Sequence, residues 1–180
     1  MFASGGGSNL QAIIDHLHSL GAHAPAVLAL VVSDRVSAGA LARARAAEVP
    51  AVWVAKDRSH ELSGILERHA VTHIALAGYL RLVPASVTTA YRSRIVNVHP
   101  ALLPAFGGSG MYGHHVHEAV IKRGARVSGP TVHFVDAHYH EVPIIAQWPV
   151  PVLEHDTAHT LAARVLKAEH ALFPRCIEAL

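Results

Sequence analysis

Cysteine is nearly absent from this chain: Cys176 is the only one among 180 residues. A single thiol cannot build a disulfide framework or supply a cysteine pair for zinc, and this composition fits a reducing compartment. Charge of one sign is also scarce. Lys and Arg number 15 against 13 Asp and Glu, a formal net charge of +2, too small to argue for nucleic acid as a partner. Small anionic ligands stay open, because local charge matters more than the total. Long hydrophobic runs are missing too. The longest, "APAVLALVV", is too short to span a bilayer. The opening "MFASGGGSN" has neither the basic segment nor the apolar core of a secretory signal. The expectation is a soluble cytoplasmic protein with no membrane partner.

What is there suits one compact domain over residues 1–180, since 51% of the residues are hydrophobic and 16% charged. The 16 histidines are unusual. They are mostly uncharged at neutral pH, so the formal charge understates how basic the chain becomes in mild acid.

Apolar runs alternate with helical patterns. "AVLALVVS" (residues 26–33) precedes "AGALARARAAE", "AVWVA" (51–55) precedes "SHELSGILERHA", and "HIALAG" (73–78) precedes "PASVTTAYRS" and then "RIVNV". These runs are apolar at nearly every position, which means that both faces are covered, as in a parallel sheet flanked by helices. The fold class is therefore α/β, doubly wound, with a mostly parallel sheet and helices on both faces. "TVHFV" (131–135) and "IIAQWPVPV" (144–152) read as two more strands that can pair antiparallel, and the chain closes on a helix from about residue 158 to 179.

Near the start, "ASGGGSNLQAII" places Gly5, Gly6 and Gly7 ahead of an amphipathic helix carrying Leu10, Ile13, Ile14 and Leu17. Ser8 and Gln11 are expected to form a capping box. Bare amides at a helix N-terminus make an anion site; the other reading of the glycine run is a flexible tail. Only Met1, Phe2 and Ala3 precede the loop, so the first strand is expected to be short or to lack part of its length. Asn97 and His99, in "RIVNVHPALLP", fall at the carboxyl end of a strand, where open α/β sheets bind ligands.

Together, "SGGGSNLQAI", "AGYLRLVP", "NVHPALLP", "GGSGMYGHHVHEAV", "GPTVHFVD", "PIIAQ" and "LAARVLKAEHALFP" resemble the phosphoribosylglycinamide formyltransferases of the folate-dependent formyltransferase superfamily, over nearly the whole chain. The resemblance implies a reaction of de novo purine synthesis in which the formyl group of 10-formyltetrahydrofolate, a co-substrate, passes to the amine of glycinamide ribonucleotide, with no metal required. The partners implied are this nucleotide and a reduced folate; a homodimer is compatible with the family.

The resemblance assigns catalysis to Asn97, His99 and the position of His140. Amine attack on a formyl carbon generates an oxyanion. The Asn97 amide and a protonated His99 can both donate to it, and such donors are commonly worth a few kcal/mol each. An isolated histidine at a strand end is more often a core residue bonded to a carbonyl; the neighbouring Asn97 and the resemblance reverse that reading. By the same match, Gly6, Gly7, Ser8 and Asn9 hold the nucleotide phosphate, and Glu169 approaches the sugar or glycinamide end, its alternative being a solvated helix face. Leu80, Arg81, Leu82 and Val83 present backbone groups to the pterin, and Asp136 joins the folate site.

Three positions depart from the family pattern. His140 stands where the family has an aspartate, Val142 where it has glycine, and Ser109 where a lysine is common. A histidine cannot supply the negative charge that favours imidazolium at His99. Val142 is strained if its place requires positive φ. The expectation is weak or absent transfer on a preserved binding scaffold; another reading has Asp136 or Glu141 replace the lost carboxylate, with activity partly retained. Alternatives are a folate- or nucleotide-binding homologue without catalysis, and a formyltetrahydrofolate hydrolase. The glycine-rich loop 107–113 reads as a flap over the nucleotide or as an ordinary surface loop. His114 and His117, one turn apart, and His138 and His140, two apart, invite a metal site. No standard zinc spacing occurs, and most of these histidines are expected to face solvent or to support other groups.

Overall fold

Side chains alternate across a strand, so a sheet covered on both sides needs two apolar layers. The structure, a computed structural model that describes residues 1–108, 110–135 and 143–180, divides them this way. Val31, Ala77, Val96, Val98 and Val132 point into one layer, with Leu10, Ile13, Leu41, Phe173 and Cys176. Val32, Leu76 and Ile95 point into the other, with Leu62, Ile65, Leu66, Val87 and Tyr91. The helices α1 (Ser8–Leu20), α2 (Gly39–Ala46) and α6 (Ala158–Glu178) supply the first layer. The second is supplied by α3 (Leu62–Arg68) and α4 (Ala85–Ala90). The doubly wound expectation holds.

The strands are β1 (Val31–Ser33), β2 (Ala51–Trp53), β3 (Ile74–Ala77), β4 (Ile95–His99), β5 (Val127–Ser128), β6 (Thr131–Phe134), β7 (Ile144–Gln147) and β8 (Val150–Pro151). The pairs β1–β2 and β3–β4 are parallel, while β6 runs antiparallel to both β4 and β7. Between β1 and β3 the segment 1–3 fills the place of a strand with one bridging residue: Phe2 pairs in parallel with Val32 and with Leu76. Phe2 N–H donates to Ala75 O at 2.8 Å and Ala77 N–H to Phe2 O at 3.1 Å.

Three expectations are corrected. The run at 26–33 is a strand only from Val31. The run at 144–152 is two strands, broken at Trp148 and Pro149; proline has no N–H for the ladder, and β8 leaves the main sheet to pair with β5. The chain crosses itself there at Gly129, φ 140°, where a Cβ would lie 1.9 Å from Trp148 O. The third correction concerns α1. Its N-cap is Gly7, with φ 77° and no side-chain cap. Gln11 instead donates to Asp15 Oδ1 at 2.8 Å and accepts from Arg43 at 3.2 Å. A capping box does occur at α6, where Thr157 and Thr160 bond reciprocally.

The helix α5 (His114–Lys122) packs on α6, and Val120, Val150, Val152, Leu161 and Val165 form a smaller apolar cluster there. No helix among the described residues is long and apolar enough to cross a membrane.

Candidate active site

Asn97 and His99 are two residues apart on β4 and so share one face. Register places His133 of β6 directly opposite Asn97. The hydrogen bonds fix the tautomer. His133 Nδ1 lies 2.8 Å from Phe134 O, which can only accept, so Nδ1 carries the proton. Nε2 is then a lone pair, and Asn97 Nδ2 donates to it at 3.0 Å. Asn97 Oδ1 is thereby set opposite, and its amide orientation is determined by a neutral ring. Burial holds His133 below the ordinary histidine value, against the Phe134 carbonyl. His133 was not singled out in the sequence. Its signal there is faint: a histidine between apolar residues of the strand "TVHFV".

His99 Nε2 donates to Phe106 O at 2.9 Å. Burial lowers its pKa, and the Phe106 carbonyl only partly opposes this. The resting ring is therefore neutral near pH 7, with Nδ1 as its basic nitrogen. The expected imidazolium is not the resting state, because burial at this strand end disfavours the charged ring.

A cleft of about 640 Å³ opens in front of β4. It brings together Gly6, Gly7, Ser8, Asn9, Leu80, Asn97, His99 and Glu169, all expected site residues. The glycine loop packs hard on α2: a Cβ at Gly7 would lie 2.7 Å from Ala40 Cα. With no side-chain cap and no acidic residue in the first turn of α1, the loop amides are left for an anion. Arg35 lines the same cleft.

Asn9 and Glu169 meet across the cleft wall. Asn9 Nδ2 donates to Glu169 Oε2 at 2.6 Å, and Asn9 Oδ1 is buried without a partner among the described residues. Glu169 is 8% exposed, which overturns the solvated-face alternative. Burial pushes its pKa up to about 7 against the Asn9 hydrogen bond. His117, 5% exposed, also lines the cleft beside His114, which leaves the supporting role rather than the solvent-facing one. Burial, with the nearby His114 and His99, lowers His117 to about 4.

The folate segment is only partly in the cleft. Leu80 lines it, whereas Arg81, Leu82 and Val83 do not. Leu80 N–H is already donated to Ser4 Oγ at 2.9 Å, so it is not free for a pterin. Leu82 is exposed and Val83 packs on the second apolar layer.

A family profile described as formyl transferase matches residues 1–177. The chain belongs to the formyl transferase family. It is 44% identical to the chloroplastic phosphoribosylglycinamide formyltransferase of Vigna unguiculata, over 100% of this chain and 59% of that protein. It is 38% identical to the phosphoribosylglycinamide formyltransferase of Bacillus subtilis, over 100% of this chain and 92% of that one. Among solved structures, glycinamide ribonucleotide transformylase 1 from Symbiobacterium toebii superposes with a TM-score of 0.89 at 40% identity, covering 98% of this chain and 84% of that one. The chain thus spans about three fifths of the length of the first plant relative. In this chain the positions that depart from the family pattern, His140, Val142 and Ser109, lie outside the described residues, as do Asp136, His138 and Glu141.

Proposed function

We propose that this chain transfers the formyl group of 10-formyltetrahydrofolate to the amine of glycinamide ribonucleotide, a step of de novo purine biosynthesis. One observation carries the reading: Asn97 and His99 face the same cleft as an uncapped glycine loop and a buried Glu169. An anion site, a polar sugar-binding wall and a pair of oxyanion donors then lie within one substrate's reach. The names of the Vigna unguiculata and Bacillus subtilis relatives support the same reaction.

In this reading the loop amides of Gly6 to Asn9 hold the phosphate. Glu169 and the unpartnered Asn9 Oδ1 meet the hydroxyls or the glycinamide end. The amine nitrogen attacks the formyl carbon, and the C=O electrons move onto oxygen. Neutral His99 takes the amine's proton at Nδ1, and the imidazolium so formed stands beside the oxyanion together with Asn97. Collapse breaks the bond from carbon to the folate nitrogen, which recovers that proton. His99 thus becomes charged during the reaction rather than before it. No step needs a metal. The lone cysteine supports a cytoplasmic location.

We further propose that transfer is slow, because His140 replaces a carboxylate that would stabilise the transient imidazolium. The neutral resting state of His99 favours a second reading, a binding protein without turnover. One experiment separates them: thermal shift with glycinamide ribonucleotide and tetrahydrofolate, beside an assay of formylated product. Product formed slowly, and faster in a His140→Asp, Val142→Gly variant by about tenfold or more, supports the proposal. Ligand-induced stabilisation with no product in either protein supports the second reading. Formate release without nucleotide identifies a hydrolase.

A further inference from the structure

No motif marks Asp34, yet it is 8% exposed directly after β1 and is held from two sides. Ser4 Oγ donates to its Oδ1 at 2.5 Å, and Arg81 Nε pairs with its Oδ2 at 3.3 Å. A serine hydroxyl has one proton. With that proton on Asp34, the Ser4 oxygen can only accept from others, and Leu80 N–H donates to it at 2.9 Å. The Ser4 N–H donates to Gly78 O at 3.1 Å, and Arg81 Nη1 reaches Val54 O at 3.4 Å. One carboxylate thus ties together the chain ends beyond segment 1–3, β1, β2 and β3.

The glycine loop is held by other means. Ala40 N–H donates to Gly5 O at 3.1 Å, and Arg43 Nε donates to Gly6 O at 2.8 Å. The two halves of the cleft therefore have separate supports. The phosphate half rests on α2, and the half that includes Leu80 rests on the Ser4–Asp34–Arg81 network.

We infer that Asp34 is a positioning residue for the folate half of the site: through Ser4 and Arg81 it fixes the path of the 79–82 segment against which the pterin lies. This rests on the formyl transfer reading above. Asp34 touches no substrate. It sets the direction of the Ser4 hydroxyl, and so the donor direction of Leu80 N–H. Within the segment it is Tyr79 and Leu80 that line the cleft, so their placement is what the network controls.

The test compares Ser4→Ala, Asp34→Ala, Asp34→Asn and the double variant Ser4→Ala/Asp34→Ala. Titration calorimetry measures tetrahydrofolate and glycinamide ribonucleotide separately, and steady-state kinetics gives KM for 10-formyltetrahydrofolate and kcat. Asp34→Ala and Ser4→Ala are each expected to weaken tetrahydrofolate by about tenfold, the usual size for one disrupted buried hydrogen bond. The nucleotide affinity should change by less than about twofold, and kcat at saturating folate by less than about threefold, as for loss of uniform binding. The double variant should be no worse than the weaker single one, because both cut one chain of bonds. Asp34→Asn, which can still accept from Ser4, should recover most of the folate affinity. Equal weakening of both ligands, or unchanged folate binding in these variants, overturns the inference. Should Asp34→Ala fail to fold, Ser4→Ala and Asp34→Asn decide alone. If the unaltered protein binds no tetrahydrofolate, the function reading falls and takes this inference with it. Binding that is intact but unselectively affected removes this inference only.

Discussion

Three side chains on two neighbouring strands concentrate the chemistry. Asn97 donates to His133 and His99 donates to Phe106 O, so each group that faces the cleft is oriented by a partner behind it. Asn97→Ala and His99→Ala should each lower kcat by about a hundredfold or more, as for an oxyanion donor, with folate KM changed only a few-fold; steady-state kinetics reads both. Asn97 and His99 were legible in the sequence because a spacing of two on a strand guarantees a shared face. His133 was not, because its role depends on antiparallel register with a strand 36 residues away. Glu169 was only half legible: its position on a helix face left burial undecided. Its raised pKa makes a signed prediction. The folded state keeps a proton that the unfolded chain releases, so wild-type stability is lost as pH rises from about 4.5 to about 7. Glu169→Gln should match wild type near pH 4 and exceed it by about 3 kcal/mol at pH 8, measured by denaturant unfolding.

Elements followed the apolar runs, and their boundaries followed the exceptions within those runs. The strand–helix order was legible because fully apolar strands demand cover on both sides. The start of α1 departs from its local signal: Ser8 and Gln11 match a capping box, while the loop's contact with α2 selects Gly7 as N-cap. Gly7→Ala tests that contact. It places a Cβ against the Ala40 backbone at a φ of 77°, and should cost about 2 kcal/mol and weaken nucleotide binding, read by thermal unfolding and calorimetry. At the other terminus the capping box is real. Thr157→Ala should destabilise the protein by about 1 kcal/mol, with ligand affinities unchanged, because Thr157 lies away from the cleft lining.

At the scale of the whole molecule, burial of histidines couples the cleft to acid stability. His99, His117 and His133 all have lowered pKa values, chiefly through desolvation, His117 at about 4. The unfolded chain therefore binds protons that the folded one refuses, and the stability they contribute is present above about pH 6.5 and lost as pH falls toward 4. Glu169 works in the opposite sense over part of this window. The Met1 amino group, His170 and Asp156 are also shifted down and act in the same sense as the three histidines, which predicts a net loss in acid. His117→Asn should flatten the acid limb of a plot of unfolding free energy against pH, while leaving the limb above pH 7 unchanged.

Periodicity and steric preference act between residues a few positions apart. For that reason the sequence by itself determined the strand–helix alternation, the two-sided burial and the Asn97–His99 pair at a strand end. Only the tertiary structure decided that His133 orients Asn97, that Asn9 meets Glu169 across 160 residues, and that His99 rests neutral. These depend on register and on loss of water, which exist only once distant segments have packed together.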